Sequence, residues 1–365
     1  MRAAVLDKTG QPVRIEELLI DEPRAGEVAV RIRASGVCHS DLHLRDAEWE
    51  QPGPIVLGHE GAGTIEALGP GVTSLRVGQQ VTLSWYYPCL ACRNCQAGRQ
   101  WLCTGSRAFD HRLPDGTTRL HRPDGSDVLA YLTTGTFAEQ TVVPVAAAIP
   151  IPELVSPEVA ALIGCCVSTG VGAVLKTAEV PAGASVAVFG LGGVGLSVVM
   201  GAVLAGATRI VVVDRVATKL DLARELGATD CIMAGDDAAT TNAAVQAATN
   251  GGPDFTFEAI GLPSTVEQAI AVLPRGGTAV LVGLTRFGAR ASFEVFPFVD
   301  GSRRILGSNY GFSVAAVDFP RYAELHLAGR LPVEKLIDRS IDLDEVEVAF
   351  EAMRRGEGLR QMITF

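Results

Sequence analysis

The sequence predicts an α/β protein of two domains: one built of short strands, the other a doubly wound parallel sheet covered by helices. Three observations carry this reading. Up to about residue 155, apolar and polar residues alternate with period two between turns rich in Gly and Pro. Past about residue 160, short runs that are apolar throughout alternate with helical patterns. The first of those runs leads directly into G-x-G-x-x-G at 190–195.

The elements follow in order. Residues 27–33 (EVAVRIR) alternate as a half-buried strand does, and 64–68, 80–84 and 137–143 read the same way. The stretch 103–135 is polar and turn-rich, and reads as a long surface loop or lobe. In the second region the strands are 185–189 (SVAVF), 209–213 (RIVVV), 254–258 and 278–282. Helices at 194–205, 217–226, 238–248 and 264–272 separate them. After about residue 308 the pattern is mixed, and it ends in an amphipathic helix near 344–355.

Composition narrows the function. The 365 residues are 48% hydrophobic and 20% charged, enough for two domains with their own cores. A net charge of −10 argues against nucleic-acid binding, which needs a basic face to neutralise phosphate. Apolar stretches are interrupted by Gly or charge, so no membrane span is expected. Met1 runs directly into a strand-like start, and the eight cysteines are expected as thiols in a reducing cytoplasm rather than as bridges.

Cys89, Cys92, Cys95 and Cys103 have the spacing C-x2-C-x2-C-x7-C. Four thiolates so close can surround one tetrahedral Zn²⁺, and an all-cysteine site is structural because no position stays open. A ferredoxin-type cluster fits less well, since that run closes with x3 and Pro rather than x7.

Gly190, Gly192 and Gly195 form the dinucleotide fingerprint, with Gly193 and Val194 between the last two glycines. The first glycine permits the tight turn, the second lets backbone approach a pyrophosphate, and the third lets helix pack on strand. The helix N-terminus then presents free N–H groups to the anion. Asp214 ends the next strand, nineteen residues past Gly195. A carboxylate there accepts bonds from ribose hydroxyls and repels a 2′-phosphate, which favours NAD over NADP. Lys219 is placed to reach the same ribose or to serve as a solvated helix charge.

A second group of metal-type side chains lies outside the four-cysteine run. Cys38, His39, Ser40 and Asp41 sit in GVCHSDLH, His59 and Glu60 in GHEGAG, and Cys165 and Cys166 in LIGCCVSTG. Cys and His suit zinc, and three of them leave one position open. Distance along the chain neither forbids nor establishes a shared site.

Those motifs, the four-cysteine run, GLGGVG with its Asp, and the ending GLRQMITF occur in the order seen in zinc-dependent alcohol dehydrogenases of the medium-chain dehydrogenase/reductase superfamily, which the whole chain resembles. The resemblance implies a GroES-like catalytic domain at 1–166 and 304–365, and a Rossmann NAD domain with a six-stranded parallel sheet at 167–303. It implies that Cys38, His59 and Cys165 hold a catalytic zinc, with Cys165 rather than the adjacent Cys166 at the family position. It makes Asp41 the carboxylate that orients His59, a common partner of metal-bound imidazole, and Glu60 an acid near the metal. Ser40 and His43 become a proton relay, running through the nicotinamide ribose. His39 and Arg360 become pyrophosphate contacts, Thr169 lines the nicotinamide end, and Ile260 and Val282 are further cofactor contacts. The implied complement is NAD and two zinc ions per chain, and the implied substrate is a small alcohol or aldehyde. Bound zinc lowers the pKa of water from 15.7 to about 7, and a bound alcohol is expected to respond similarly.

Trp49 and Trp85 match pocket-lining positions of the family, so an aromatic or allylic alcohol fits. The close rival is a thiol-adduct substrate, since Arg107, Glu48 and Glu50 match in part the charged contacts of glutathione-dependent formaldehyde dehydrogenases. Relatives that lose the metal act as quinone reductases or structural proteins, and the full ligand set argues against that class. A homodimer, or a tetramer, is expected through the apolar segment 278–304.

Overall fold

The computed structural model describes Met1–Phe365. It divides into two compact units, Met1–Cys165 with Val314–Phe365, and Cys166–Ser313.

The first unit carries two sheets. One has the order Arg14–Glu17, Arg2–Leu6, Ile55–Val56, Asp127–Ala130, Leu120–His121, Leu19–Ile20. The other runs Ala148–Pro150, Gln80–Leu83, Glu60–Leu68, Glu27–Gly36, Arg360–Thr364, Ile337–Ile341, with Gln140–Pro144 also on Glu27–Gly36. The alternation read at 27–33 is real: Ile32 and Ala34 point into the core while Arg31 and Arg33 are exposed. Its register fixes the chemistry that follows. Gly36 pairs with Glu60 and with Met362, so the residues just beyond Gly36 lie beside His59 and Glu60 at one sheet end. A Cβ at 36 would come within 2.3 Å of Glu60 Oε2, so any larger residue there would displace that carboxylate.

The stretch 103–135 is more than a surface loop. It contributes two strands to the first sheet, and Arg119, Thr118 and His111 within it are buried. Polarity misleads here because the polar groups pair with one another. Arg119 donates to Glu27 Oε1 at 2.6 Å and to Asp115 Oδ2 at 2.7 Å. Such a pair is costly to break, because the remaining charge would stay buried alone.

The second unit is a six-stranded sheet in the order Asp230–Met233, Arg209–Asp214, Ser185–Phe189, Phe255–Glu258, Thr278–Leu281, Arg304–Gly307, parallel throughout. The order reverses between Ser185–Phe189 and Phe255–Glu258, and ligands of open α/β sheets bind outside the strand ends at such a reversal. Helices Gly193–Ala205, Ala217–Glu225, Ala238–Ala248 and Pro263–Ala271 connect the strands. Arg304–Gly307 is the sheet's edge strand, so this unit extends to Ser313 rather than stopping at 303. Asp230–Met233 is a strand the apolar pattern misses, since none of its four residues is buried.

Pro157–Thr177 is long and apolar enough to cross a membrane by length and composition, yet 83% of its most apolar window is buried in the fold. That burial is typical of a core helix.

Candidate active site

Four side chains meet at the end of Glu27–Gly36. Cys38 caps the helix His39–Arg45, Glu60 begins the neighbouring strand with His59 just before it, and Cys165 sits in the π-helical turn Ile163–Val167. Their ligand atoms all lie within 4.8 Å of one another and all four residues are buried. Cys166, although fully buried, is not among them.

Asp41 organises this group. It occupies the third helical position, where its Oδ2 accepts from the Cys38 N–H at 3.2 Å. Its Oδ1 accepts from Gly58 N at 3.0 Å and faces His59 Nδ1 at 3.2 Å. A proton on Nδ1 directed at Asp41 leaves Nε2 as the ligand atom, as metal-bound imidazoles require. Burial disfavours a charged His59, yet Asp41 and Cys38 outweigh it and hold the pKa well above the ordinary value. Cys38 is pulled well below its usual range by the bond from Cys165, and Cys165 is pushed up by the same bond and by burial.

Glu60 shows that these residues fit a cation. Neither of its carboxylate oxygens accepts a hydrogen bond, though both are fully buried. Burial pushes its pKa up to about 7 against the pull of Arg360, whose Nη2 stands 3.3 Å away. Two thiols, an imidazole and an orphaned carboxylate aimed at one point match a zinc donor set.

The second cluster fits zinc as well. The sulfurs of Cys89, Cys92, Cys95 and Cys103 lie within 4.8 Å of one another. Cys92 and Cys103 sulfurs are 4.0 Å apart, close to the ~3.8 Å edge of a tetrahedron with Zn–S bonds near 2.3 Å. Backbone N–H groups of Cys89 and Cys92 already point at sulfur, at 3.1 and 3.4 Å.

Around the first cluster, Ser40 is half-buried with its Oγ 4.0 Å from the Cys38 sulfur. His43 lies one turn further along the same helix and His39 is exposed on its first turn. Arg360 is buried, and its Nη1 donates to Val37 O at 2.9 Å. Trp49 lies on His43, with ring centroids 4.5 Å apart. Trp85 meets Phe109 and Tyr86 edge-on, at 6.1 and 5.6 Å. Glu48 faces His43, Glu50 is exposed, and Arg107 pairs with Asp110.

No local pattern singles out Tyr131 or His111. Tyr131 stands edge-on to His59 at 5.6 Å, and His111 packs on Tyr131 at 5.4 Å. His111 Nδ1 accepts from Leu132 N at 3.1 Å, and its Nε2–H donates to Gln51 Oε1 at 2.7 Å. Burial pushes this histidine down to about 4 from an ordinary 6.5. A depressed value means the folded state keeps the ring neutral while the unfolded chain takes a proton. The stability contribution is therefore full above pH 6.5 and is lost as pH falls toward 4. Between pH 6.5 and 5 the loss is about 2 kcal/mol. His111→Gln keeps one acceptor and one donor but cannot titrate. Its unfolding midpoint should fall less steeply on acidification than the wild type's, and parallel slopes would refute the assignment.

The second unit supplies the dinucleotide features. Gly190 has φ +91, and a Cβ at Gly195 would lie 1.8 Å from Gly190 O, so neither position accepts a side chain. Gly192 has open space in front of it, and Gly193 and Val194 begin the helix. Asp214, half-buried, accepts from Leu191 N at 2.7 Å and from Val216 N at 3.0 Å. Ile260 lies over Gly190, Val282 is buried, and Thr169 and Lys219 are half-buried. An open glycine turn at a helix N-terminus, with a carboxylate at the next strand end, fits a dinucleotide.

Residues 24–153 match the family described as alcohol dehydrogenase GroES-like domain, and residues 193–326 match the zinc-binding dehydrogenase family. The S-(hydroxymethyl)glutathione dehydrogenase of Paracoccus denitrificans is 35% identical over 377 aligned positions, covering 100% of this chain and 99% of its own. The crystal structure of an alcohol dehydrogenase zinc-binding domain protein from Burkholderia ambifaria superposes with a TM-score of 0.94 at 37% identity, covering 100% of this chain and 98% of that one. Benzyl alcohol dehydrogenase from Acinetobacter calcoaceticus follows with 0.91 at 32% identity, covering 100% and 99%.

Proposed function

The chain belongs to the zinc-dependent alcohol dehydrogenases of the medium-chain dehydrogenase/reductase superfamily, and within them we propose that it oxidises the hydroxymethyl adduct of a low-molecular-weight thiol. Its cofactors are NAD and two zinc ions per chain, one structural and one catalytic. The observation that carries the substrate is the full-length identity to a relative named for S-(hydroxymethyl)glutathione. Exposed Glu50 and partly exposed Arg107 offer charged contacts for such a thiol. A second reading, an aromatic primary alcohol, is favoured by the rings of Trp85, Tyr86 and Phe109 and by the likeness to benzyl alcohol dehydrogenase. Turnover of formaldehyde with NAD should require glutathione or another small thiol. Turnover of benzyl alcohol with no thiol-dependent formaldehyde activity would transfer the assignment to the second reading.

Cys38, His59 and Cys165 would hold the catalytic zinc, and Cys89, Cys92, Cys95 and Cys103 the structural one. When bound, zinc makes a substrate hydroxyl acidic and NAD takes up a hydride. The rest falls to the chain's own residues. Asp41 keeps His59 in the ligating tautomer. Ser40 takes the hydroxyl proton and His43 carries it outward. Glu60, with Arg360 beside it, places a carboxylate next to the ligands without a hydrogen bond to restrain it. Asp214 and the glycine turn hold the adenosine ribose and pyrophosphate, with His39, Thr169, Lys219, Ile260 and Val282 as further contacts.

The same reading includes a homodimer. Phe287, Val295, Phe296 and Val299 are 76%, 67%, 82% and 69% exposed, beside an edge strand, Arg304–Gly307, paired on one side only. An apolar patch on an open sheet edge invites a second copy. Phe296→Asp should sediment as a monomer, and an unchanged sedimentation coefficient would overturn the interface. Eight cysteines with no disulfide among them fit a cytoplasmic location.

A further inference from the structure

The His43 imidazole is held on two sides by residues just after its helix. Its Nδ1 lies 2.6 Å from Glu48 Oε2. Trp49 covers one ring face, at 4.5 Å and an interplanar angle of 31°. The chain makes this possible by folding back. After the helix ends, Ala47 takes a left-handed φ of 59, and the N–H groups of Glu48 and Trp49 both donate to His43 O, at 2.9 and 3.3 Å. A non-glycine residue adopts that conformation only at a cost, so the turn is held by what it makes.

The acid at the helix C-cap does not compete. Asp46 is taken by Arg354 and Arg45. Arg45 is in turn taken by Glu347. Glu48 pairs with the His43 ring, and it is 46% exposed against 20% for the imidazole. The arrangement is a carboxylate–imidazole pair at the surface end of the helix whose first turn carries Ser40.

We propose that Glu48 is a positioning residue for the proton relay. Its carboxylate keeps the proton of neutral His43 on Nδ1, so that the lone pair of Nε2 receives the proton leaving Ser40. It then balances the charge of the imidazolium until the ring gives a proton to solvent water. Trp49 holds the ring plane. This rests on the relay reading given above. It also accounts for Glu48 without a substrate contact, which leaves Glu50 and Arg107 as the charged residues for a thiol adduct.

The test uses zinc-loaded enzyme with NAD and either formaldehyde plus glutathione or benzyl alcohol. Glu48→Gln can still accept the Nδ1–H bond but carries no charge. Its kcat should fall about tenfold, with KM for NAD and alcohol little changed, and the acid limb of its kcat profile should move to lower pH. Glu48→Asp should recover part of the loss. In a His43→Ala background, Glu48→Gln should have no further effect. A readout independent of turnover is the ¹⁵N spectrum of histidine-labelled protein: His43 should be the Nδ1–H tautomer in the wild type and mixed in Glu48→Ala. A kcat and pH profile unaffected by Glu48→Gln, or an Nε2–H tautomer in the wild type, overturns the inference while His43→Ala still impairs turnover. If His43→Ala itself leaves kcat unchanged, the relay reading fails and this inference with it.

Discussion

Cys165→Ser should leave the protein folded with about one zinc per chain and lower kcat/KM by at least about a thousandfold. Three donors and an open position define a catalytic zinc site, and a serine hydroxyl is a poor substitute for a thiolate. Cys165 enters from a π-helical turn and its sulfur is within 4.8 Å of the Cys38, His59 and Glu60 donors. Removing it leaves one thiolate, one imidazole and Glu60. Serine is smaller than cysteine by little, so the buried surroundings should tolerate it, and the melting temperature should move by only a few degrees. Cys92→Ser makes the opposite prediction: the second zinc is lost, and with it the fold of the 89–103 loop, because structural zinc is folding free energy. Zinc quantification beside turnover separates the two. Full activity in Cys165→Ser, or two zinc ions retained with Cys166 as substitute ligand, would break the assignment of the site.

How far the sequence reveals this site depends on what each residue needs from the fold. The donors announce themselves by type, because Cys and His near glycine-rich turns have few bland alternatives in such numbers. Their convergence does not. It depends on Gly36 pairing with Glu60, a register that no local pattern encodes. The parallel sheet was legible where strands are buried on both faces, as at Ser185–Phe189. It was illegible at Asp230–Met233, an edge strand with no buried residue. The 103–135 segment misleads for the reverse reason, since Arg119, Glu27 and Asp115 bury charge by pairing it across distant positions. Tyr131 and His111 act through contacts with other side chains, so a single sequence carries no signal for them, and it shows Glu48 only as a substrate contact, not as a partner of His43.

Asp214→Asn should reverse much of the preference for NAD over NADP. The carboxylate sits at the end of Arg209–Asp214 and binds two backbone N–H groups, Leu191 in the glycine turn and Val216 before the next helix. Each oxygen keeps a lone pair for a ribose hydroxyl, and the charge opposes a 2′-phosphate. The amide is isosteric and retains one oxygen for Leu191 N–H, so the glycine turn keeps its bond while Val216 N–H loses its acceptor. What disappears is a charge-assisted bond to ribose, worth about 1.5–3 kcal/mol, and a repulsion of similar size against the phosphate. Together these shift the ratio of kcat/KM for NAD to that for NADP by about 10²–10⁴. Arg215 beside it is exposed and paired with Asp236, an exposed ion pair that contributes little and can yield to a phosphate. The double variant Asp214→Asn, Asp236→Asn frees that guanidinium and should improve NADP use further. Binding of ADP-ribose, followed by calorimetry, reports the ribose contact without any turnover. If ADP-ribose affinity and the coenzyme ratio are both unchanged in Asp214→Asn, the carboxylate serves only to pin the glycine turn, and coenzyme choice must be decided elsewhere in the parallel-sheet unit.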